Sequence, residues 1–167
     1  MANEITGLDE VQAKLRILGN KRKAKNAANR ASRKAMNIVK DAARKNAKSI
    51  DDKDSPNKIW KNIVVKTGKT KGYEKVTMQV GVRGGARKYG KNADNRRAGR
   101  IGRTYATGGS KKNPGGDTWY WRFLEFGSST NNAKPFLRPA LNNNKDAVQQ
   151  EFARAYGEEL DKEIAKL

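Results

Sequence analysis

The chain of 167 residues contains no cysteine and no histidine. The first absence excludes disulfides, thiolate nucleophiles and cysteine-bound metals; the second removes the imidazole on which most triads and zinc sites depend. Catalysis would have to rest on carboxylates, lysine, tyrosine or serine. Hydrophobic residues are also scarce, at 35% of the chain, although the aromatics cluster, so a modest core stays within reach. No apolar run approaches the roughly 18 residues of a membrane span, and residues 1–10 lack the basic-then-apolar layout of a secretion signal. The expectation is a soluble protein made in a cytoplasm, without membrane contact and without a cofactor. Acids are the last shortage: 37 Lys plus Arg stand against 17 Asp plus Glu, a formal net charge of +20. A charge of that size predicts contact with a polyanion, whether nucleic acid, a membrane surface or an acidic protein.

The excess falls into two blocks. Residues 14–48 carry +12 and residues 84–116 carry +8, while residues 1–13 carry −3, residues 49–83 carry +4 and residues 117–167 carry −1. The first block has a helical pattern. A short amphipathic turn at Leu8, Val11, Leu15 and Leu18 opens with Thr6 and Asp9 in capping-box spacing, and no Pro or Gly interrupts residues 21–49. Ala24, Ala27, Ala28, Ala31, Ala35, Ile38, Val39, Ala42 and Ala43 recur there at steps of three and four, one face of a helix suited to close packing. Its cations read as a solvated outer face, or as groups awaiting acidic partners.

The middle of the chain predicts strands. Ile63, Val64 and Val65 lie in one apolar run, and Val76, Met78, Val80 and Val82 alternate with polar or small residues. A third strand is expected over residues 118–126, with Trp119, Trp121 and Phe123 on one face and Tyr120, Leu124 and Phe126 on the other. Aromatics usually mark core, and the outward ones would anchor an interface. Between these strands the second basic block is rich in glycine, with Ile101 its one large aliphatic. That composition predicts a long flexible insertion over residues 84–117, in contact with nucleic acid, with an acidic protein, or with solvent alone. After Pro139, the residues Leu141, Val148, Phe152, Tyr156, Leu160 and Ile164 form a helical stripe, and the acids Glu158, Glu159, Asp161 and Glu163 could face the basic helix of the same chain or of a neighbour. The expected fold is α+β in a single domain: an antiparallel sheet of about three to four strands packed against a long N-terminal helix and a C-terminal helix, with the basic loop inserted in a hairpin.

Motifs for chemistry fail. Gly68-Lys69-Thr70 resembles the end of a phosphate-binding loop, but the glycine that motif needs five positions earlier is Ile63. Asp51-Asp52-Lys53 has the makeup of half a metal-nuclease site and, beside Ser55 and Pro56, equally that of a turn. No convincing second ligand accompanies it, so no metal site and no enzyme is expected.

One resemblance spans most of the chain. The segment from Trp119 through Arg122, Glu125 and Phe126 to Gly127 and Ser129, followed by Ala133-Lys134-Pro135-Phe136-Leu137-Arg138-Pro139-Ala140-Leu141, resembles the HK97 gp10-like family of tailed-phage neck and tail-completion proteins. Gly7-Leu8-Asp9-Glu10-Val11-Gln12, the long Ala/Lys/Arg helix, and Val80-Gly81-Val82-Arg83-Gly84-Gly85 support it. The linker at residues 49–56 departs from the family's Pro-x-Asp-Thr-Gly turn, and the insertion is longer than its usual hairpin loop.

The resemblance implies a structural virion protein, assembled in the host cytoplasm. It would form a homo-oligomeric ring, with six copies the expectation, at the head-tail junction or tail end around the DNA channel. Its partners would be further copies of itself, the adjacent head-closure or connector protein, the tail-tube or terminator protein, and genomic DNA. On that reading Arg87, Lys88, Lys91, Arg96, Arg97, Arg100, Arg103, Lys111 and Lys112 meet DNA or a partner ring. Trp119, Tyr120, Trp121, Phe126, Phe136, Leu137 and Arg138 build the subunit interface. The alternative, supported by charge alone, is a free cytoplasmic protein that binds nucleic acid without sequence preference.

Overall fold

A computed structural model describes residues 15–16, 19–70, 72–73, 75–83, 87–105 and 113–166. The expected short helix around Leu8, Val11 and Leu18, and the cations Lys111 and Lys112, lie outside the described residues. In chain order the elements are α1 (Lys21–Ile50), α2 (Ile59–Asn62), β1 (Ile63–Thr67), β2 (Met78–Val82), β3 (Arg87–Lys88), α3 (Ala93–Arg97), β4 (Thr104–Tyr105), α4 (Trp121–Phe126), α5 (Leu137–Asn142) and α6 (Lys145–Ile164). They fall into two compact units. One holds residues 1–38, 65–79 and 144–167, and the other residues 39–64 and 80–143. Both α1 and the β1–β2 sheet contribute residues to each.

The long helix forms as its spacing predicts. Ala27, Ala31, Ala35, Val39, Ala43 and Ala47, each four residues after the last, are all 2% exposed or less. Side chains this small let neighbouring backbone approach closely, and burying such a stripe compensates for the helix's otherwise polar composition. In the first unit Ala27 packs with Leu160, Tyr156 and Ile164 of α6. In the second, the buried side chains are Val39, Ala43, Ala47, Ile59, Ile63, Phe136 and Ala140.

The described residues contain two two-stranded sheets, β1–β2 and β3–β4, not one of three to four strands. Arg83 N–H donates to the Asn62 carbonyl at one end of the first pair and Gly68 N–H to the Thr77 carbonyl at the other, so β1 and β2 run antiparallel. Two expectations are corrected here. Residues 121–126 form the helix α4, not a strand: Trp119 and Phe123, four apart, meet edge to face with centroids 5.8 Å apart, and Gly127 at φ +80° ends the helix. Residues 87–105, expected as part of an unstructured loop, instead form an antiparallel hairpin, Arg87 opposite Tyr105 and Lys88 opposite Thr104, that carries α3 between its strands. Asn92 caps α3 by accepting from Asn95 N–H (2.8 Å), and the Asn95 amide donates to the Gly90 carbonyl (2.9 Å). Short-range polar bonds of this kind fold a segment that has almost nothing apolar to bury.

The end of the insertion is equally fixed. Asn62, wholly buried, donates to the Gly116 carbonyl and the Thr118 hydroxyl and accepts from Gly115 N–H. Lys58 N–H donates to the Gly115 carbonyl (2.7 Å), and Asp117 N–H to the Asn57 side chain (3.0 Å). A Cβ on Gly115 would overlap the Lys58 carbonyl oxygen, so only glycine permits this approach.

Candidate functional site

The two segments that carry the resemblance meet at one buried carboxylate. α5 begins at Leu137, its N-cap residue Phe136 supplies no side-chain bond, and its first N–H groups need acceptors. Glu125, 1% exposed on α4, provides them. Its Oε2 accepts from Phe136 N–H (2.8 Å) and Leu137 N–H (2.9 Å), and its Oε1 from Arg138 N–H (3.0 Å). A negative group at a helix N-terminus also complements the helix dipole. Arg138 closes the link from the other side, donating from Nε to Glu125 Oε1 (3.2 Å) and from Nη2 to the Glu125 carbonyl (2.7 Å). Phe136 is fully buried in between. Expected as a subunit contact, it is core within the chain.

The outer side of α4 and the turn that leads into it are aromatic. Trp119, Phe123 and Phe126 are 54%, 49% and 64% exposed. The Arg138 guanidinium lies over the Phe126 ring at 5.3 Å and that of Arg122 over Trp121 at 5.6 Å. Beside them Tyr120, Phe123, Leu124, Ser128, Asn131 and Lys134 line an open cleft of about 740 Å³. Its far wall is a turn held by Ser128, whose hydroxyl accepts from Asn131 N–H and whose own N–H donates to the Asn131 carbonyl. Large aromatic rings held in water by a buried polar brace make a surface suited to a protein partner. Of the expected interface residues, Trp119, Phe126 and Arg138 are exposed and Tyr120, Trp121 and Leu137 are half-buried. Phe123, absent from that expected set, is exposed beside them; the four-residue spacing from Trp119 was its signal, once the segment is read as helix.

The expected polyanion contacts divide. Lys91, Arg96, Arg97, Arg100 and Arg103 are exposed on the hairpin, with the Arg100 guanidinium 5.2 Å from the Tyr89 ring centroid. Arg87 and Lys88 form β3. Several of the helical cations, in contrast, have partners, although Lys21, Arg22 and Lys45 are exposed without an ion pair among the described residues. In the first unit Arg30 pairs with Glu159 and with Glu163 (2.8 Å), Lys34 pairs with Glu158 (3.3 Å), and Arg33 donates to the Thr67 hydroxyl (3.0 Å). In the second, Arg44 donates to the Ile63 carbonyl (2.9 Å) and Lys48 lies 4.4 Å from the Trp60 centroid. The acidic end of α6 therefore serves the basic helix of its own chain. Hydrogen bonds from Lys162 and then Arg30 pull the Glu159 carboxyl down to about 2, against the opposing effect of burial.

Asp51 acts in the fold. Its carboxylate accepts from Ile59 N–H (3.2 Å) and Trp60 N–H (3.3 Å), capping α2. Burial raises its pKa, and these two backbone bonds oppose the rise. Asp52 accepts from Asp54 N–H in a tight turn. Among the described residues no group of three or more acids is placed to hold a metal, and no helix is long and apolar enough to cross a membrane.

A family model described as "Bacteriophage HK97-gp10, putative tail-component" matches residues 9–127, well over half of the chain. The match includes the basic helix, the hairpin and α4, and stops before α5. No curated protein and no solved structure matches.

Proposed function

Because the chain belongs to the HK97-gp10-like family of bacteriophage tail components, we propose that it is a non-enzymatic ring subunit that completes the tail or the head-tail junction around the DNA channel. The observation that carries this reading is the exposed aromatic face of Trp119, Phe123 and Phe126, braced from behind by Glu125. A ring closes through heterologous contacts, in which one surface of each copy meets a different surface of the next. Aromatic rings held on a rigid short helix lose little entropy on docking, which favours such a contact. The acids of α6 are a poor choice for the complementary surface, since Glu158, Glu159 and Glu163 already pair within the chain. The open cleft beside α4 offers polar groups and apolar walls to a neighbour's segment.

The test is a phage that encodes this chain, carrying a stop codon in its gene. Particles grown without the protein should accumulate as heads and tails that fail to join or as unfinished tails, and supplying the protein in trans should restore infectivity. Normal particles without it, or its absence from purified wild-type virions by mass spectrometry, would overturn the placement.

A further inference from the structure

The net charge of +20 is not a uniform supply of free cations. Arg30 and Lys34 are neutralised by carboxylates of α6, and Arg33 and Arg44 are tied to oxygen acceptors of the fold. The hairpin of residues 87–105 differs. Lys91, Arg96, Arg97, Arg100 and Arg103 are exposed, and among the described residues none of them forms an ion pair. Asp94 is the one acid in the segment, in the first turn of α3. Five cations held on 13 residues of folded backbone repel one another, and an anionic ligand would relieve that repulsion.

The chemistry of the hairpin selects the ligand. A protein-binding surface needs apolar anchors, and the hairpin's one exposed large aliphatic is Ile101, at 36%. The aromatic face of α4 has several such anchors; among the hairpin side chains that are described, Ile101 is the one. Single-strand binders stack successive bases on a series of aromatics, whereas the hairpin's one aromatic with a described side chain, Tyr89, is covered by the Arg100 guanidinium. Base reading in the major groove needs a helix or ribbon long enough to enter it, and α3 has five residues. What remains is a charged, glycine-containing surface in which Gly99 and Gly102 take positive φ (+59° and +79°) and let backbone come close to a ligand.

We propose that this hairpin binds the backbone phosphates of double-stranded DNA without reading base sequence. The source of that duplex, the genome passing through the ring, rests on the function proposed above. The phosphate chemistry stands apart from it.

The experiment uses the full chain and a duplex of scrambled sequence, with binding followed by fluorescence anisotropy across a salt series. Replacing Lys91, Arg96, Arg97 and Arg103 with Gln should lower affinity at least about tenfold at 0.1 M salt and flatten the log–log salt slope by about 3 to 4. A control that loses the same charge elsewhere, with Gln at Lys21, Arg22, Lys45 and Lys53, should lose markedly less of both. Circular dichroism melts check that both variants stay folded. Equal losses in the two variants would mean bulk charge and overturn the proposal, as would unchanged binding by the hairpin variant. A hairpin variant that binds DNA normally but is left out of particles would assign the surface to a protein partner instead. Incorporation of the wild-type chain into virions is scored separately, so failure of the ring reading and failure of the DNA contact give different results.

Discussion

Glu125 and Arg138 hold each other in two ways: the carboxylate accepts from the arginine's backbone N–H and its Nε, and the arginine's Nη2 donates to the glutamate's own carbonyl. The link ties α4, at the end of the family match, to the first turn of α5 beyond it, so the two act as one piece. A side chain 1% exposed thereby anchors the helix that carries Phe123 and Phe126, rings that are about half or more in water.

Replacing Glu125 with Ala should destabilise the protein by about 3–5 kcal/mol, because three backbone N–H groups of residues 136–138 lose their acceptor, whereas the exposed Arg138 guanidinium can turn to water. Glu125→Gln keeps a carbonyl oxygen and should cost less, about 1–2 kcal/mol. Urea denaturation of both variants measures the difference. Wild-type stability in Glu125→Ala would show that α5 does not depend on this cap.

Gly115→Ala places a methyl against the Lys58 carbonyl oxygen and 3.0 Å from the Asn62 side chain. Backbone on one side and a buried, fully bonded amide on the other leave little room to adjust, so about 1–3 kcal/mol of stability should be lost. Gly90→Ala meets open space and should change stability by less than about 0.5 kcal/mol. Thermal melts of the pair test whether the end of the insertion is docked as described.

Acid should weaken the ion pairs of Glu159, made first with Lys162 of its own helix and then with Arg30 of α1. The Glu159 carboxyl is held at about 2 against an ordinary value of 4.5. Its contribution is therefore complete above pH 4.5 and is lost as pH falls through 4.5 towards 2, since the unfolded chain takes up the proton first. Glu151 and Glu163 are shifted in the same direction by Arg154 and by Lys166, respectively. The stability difference between wild type and Glu159→Gln should be largest at pH 5 to 7 and shrink towards pH 2. A difference independent of pH would exclude the ion pairs as its source.

Trp119→Ser combined with Phe123→Ser should leave the chain folded with a loss of about 1–3 kcal/mol, since both rings are about half in water and pack on each other. The same variant should fail to restore infectivity to a phage lacking the protein. Full rescue would remove the aromatic face from the assembly contacts.

Regularities of short range were legible in the sequence. Steps of three and four from Ala24 to Ala43 predicted α1, alternation from Val76 to Val82 predicted β2, and the stripe from Val148 to Ile164 predicted α6, because each depends on neighbours within a few positions. The aromatic segment did not yield in the same way. Trp119, Trp121 and Phe123 fit a period of two, while Trp119 and Phe123 also fit a helical step of four. The choice fell to helix, with Gly127 ending it and Glu125 bound to residues 136–138. The fate of the charges was likewise decided only by tertiary structure. Composition gave +20, but nothing local distinguishes Arg30, which finds Glu159 far along the chain, from Arg96, which has no ion-pair partner among the described residues. Coulombic and hydrogen-bond partners are chosen by distance in space, and sequence fixes that distance only through the completed fold.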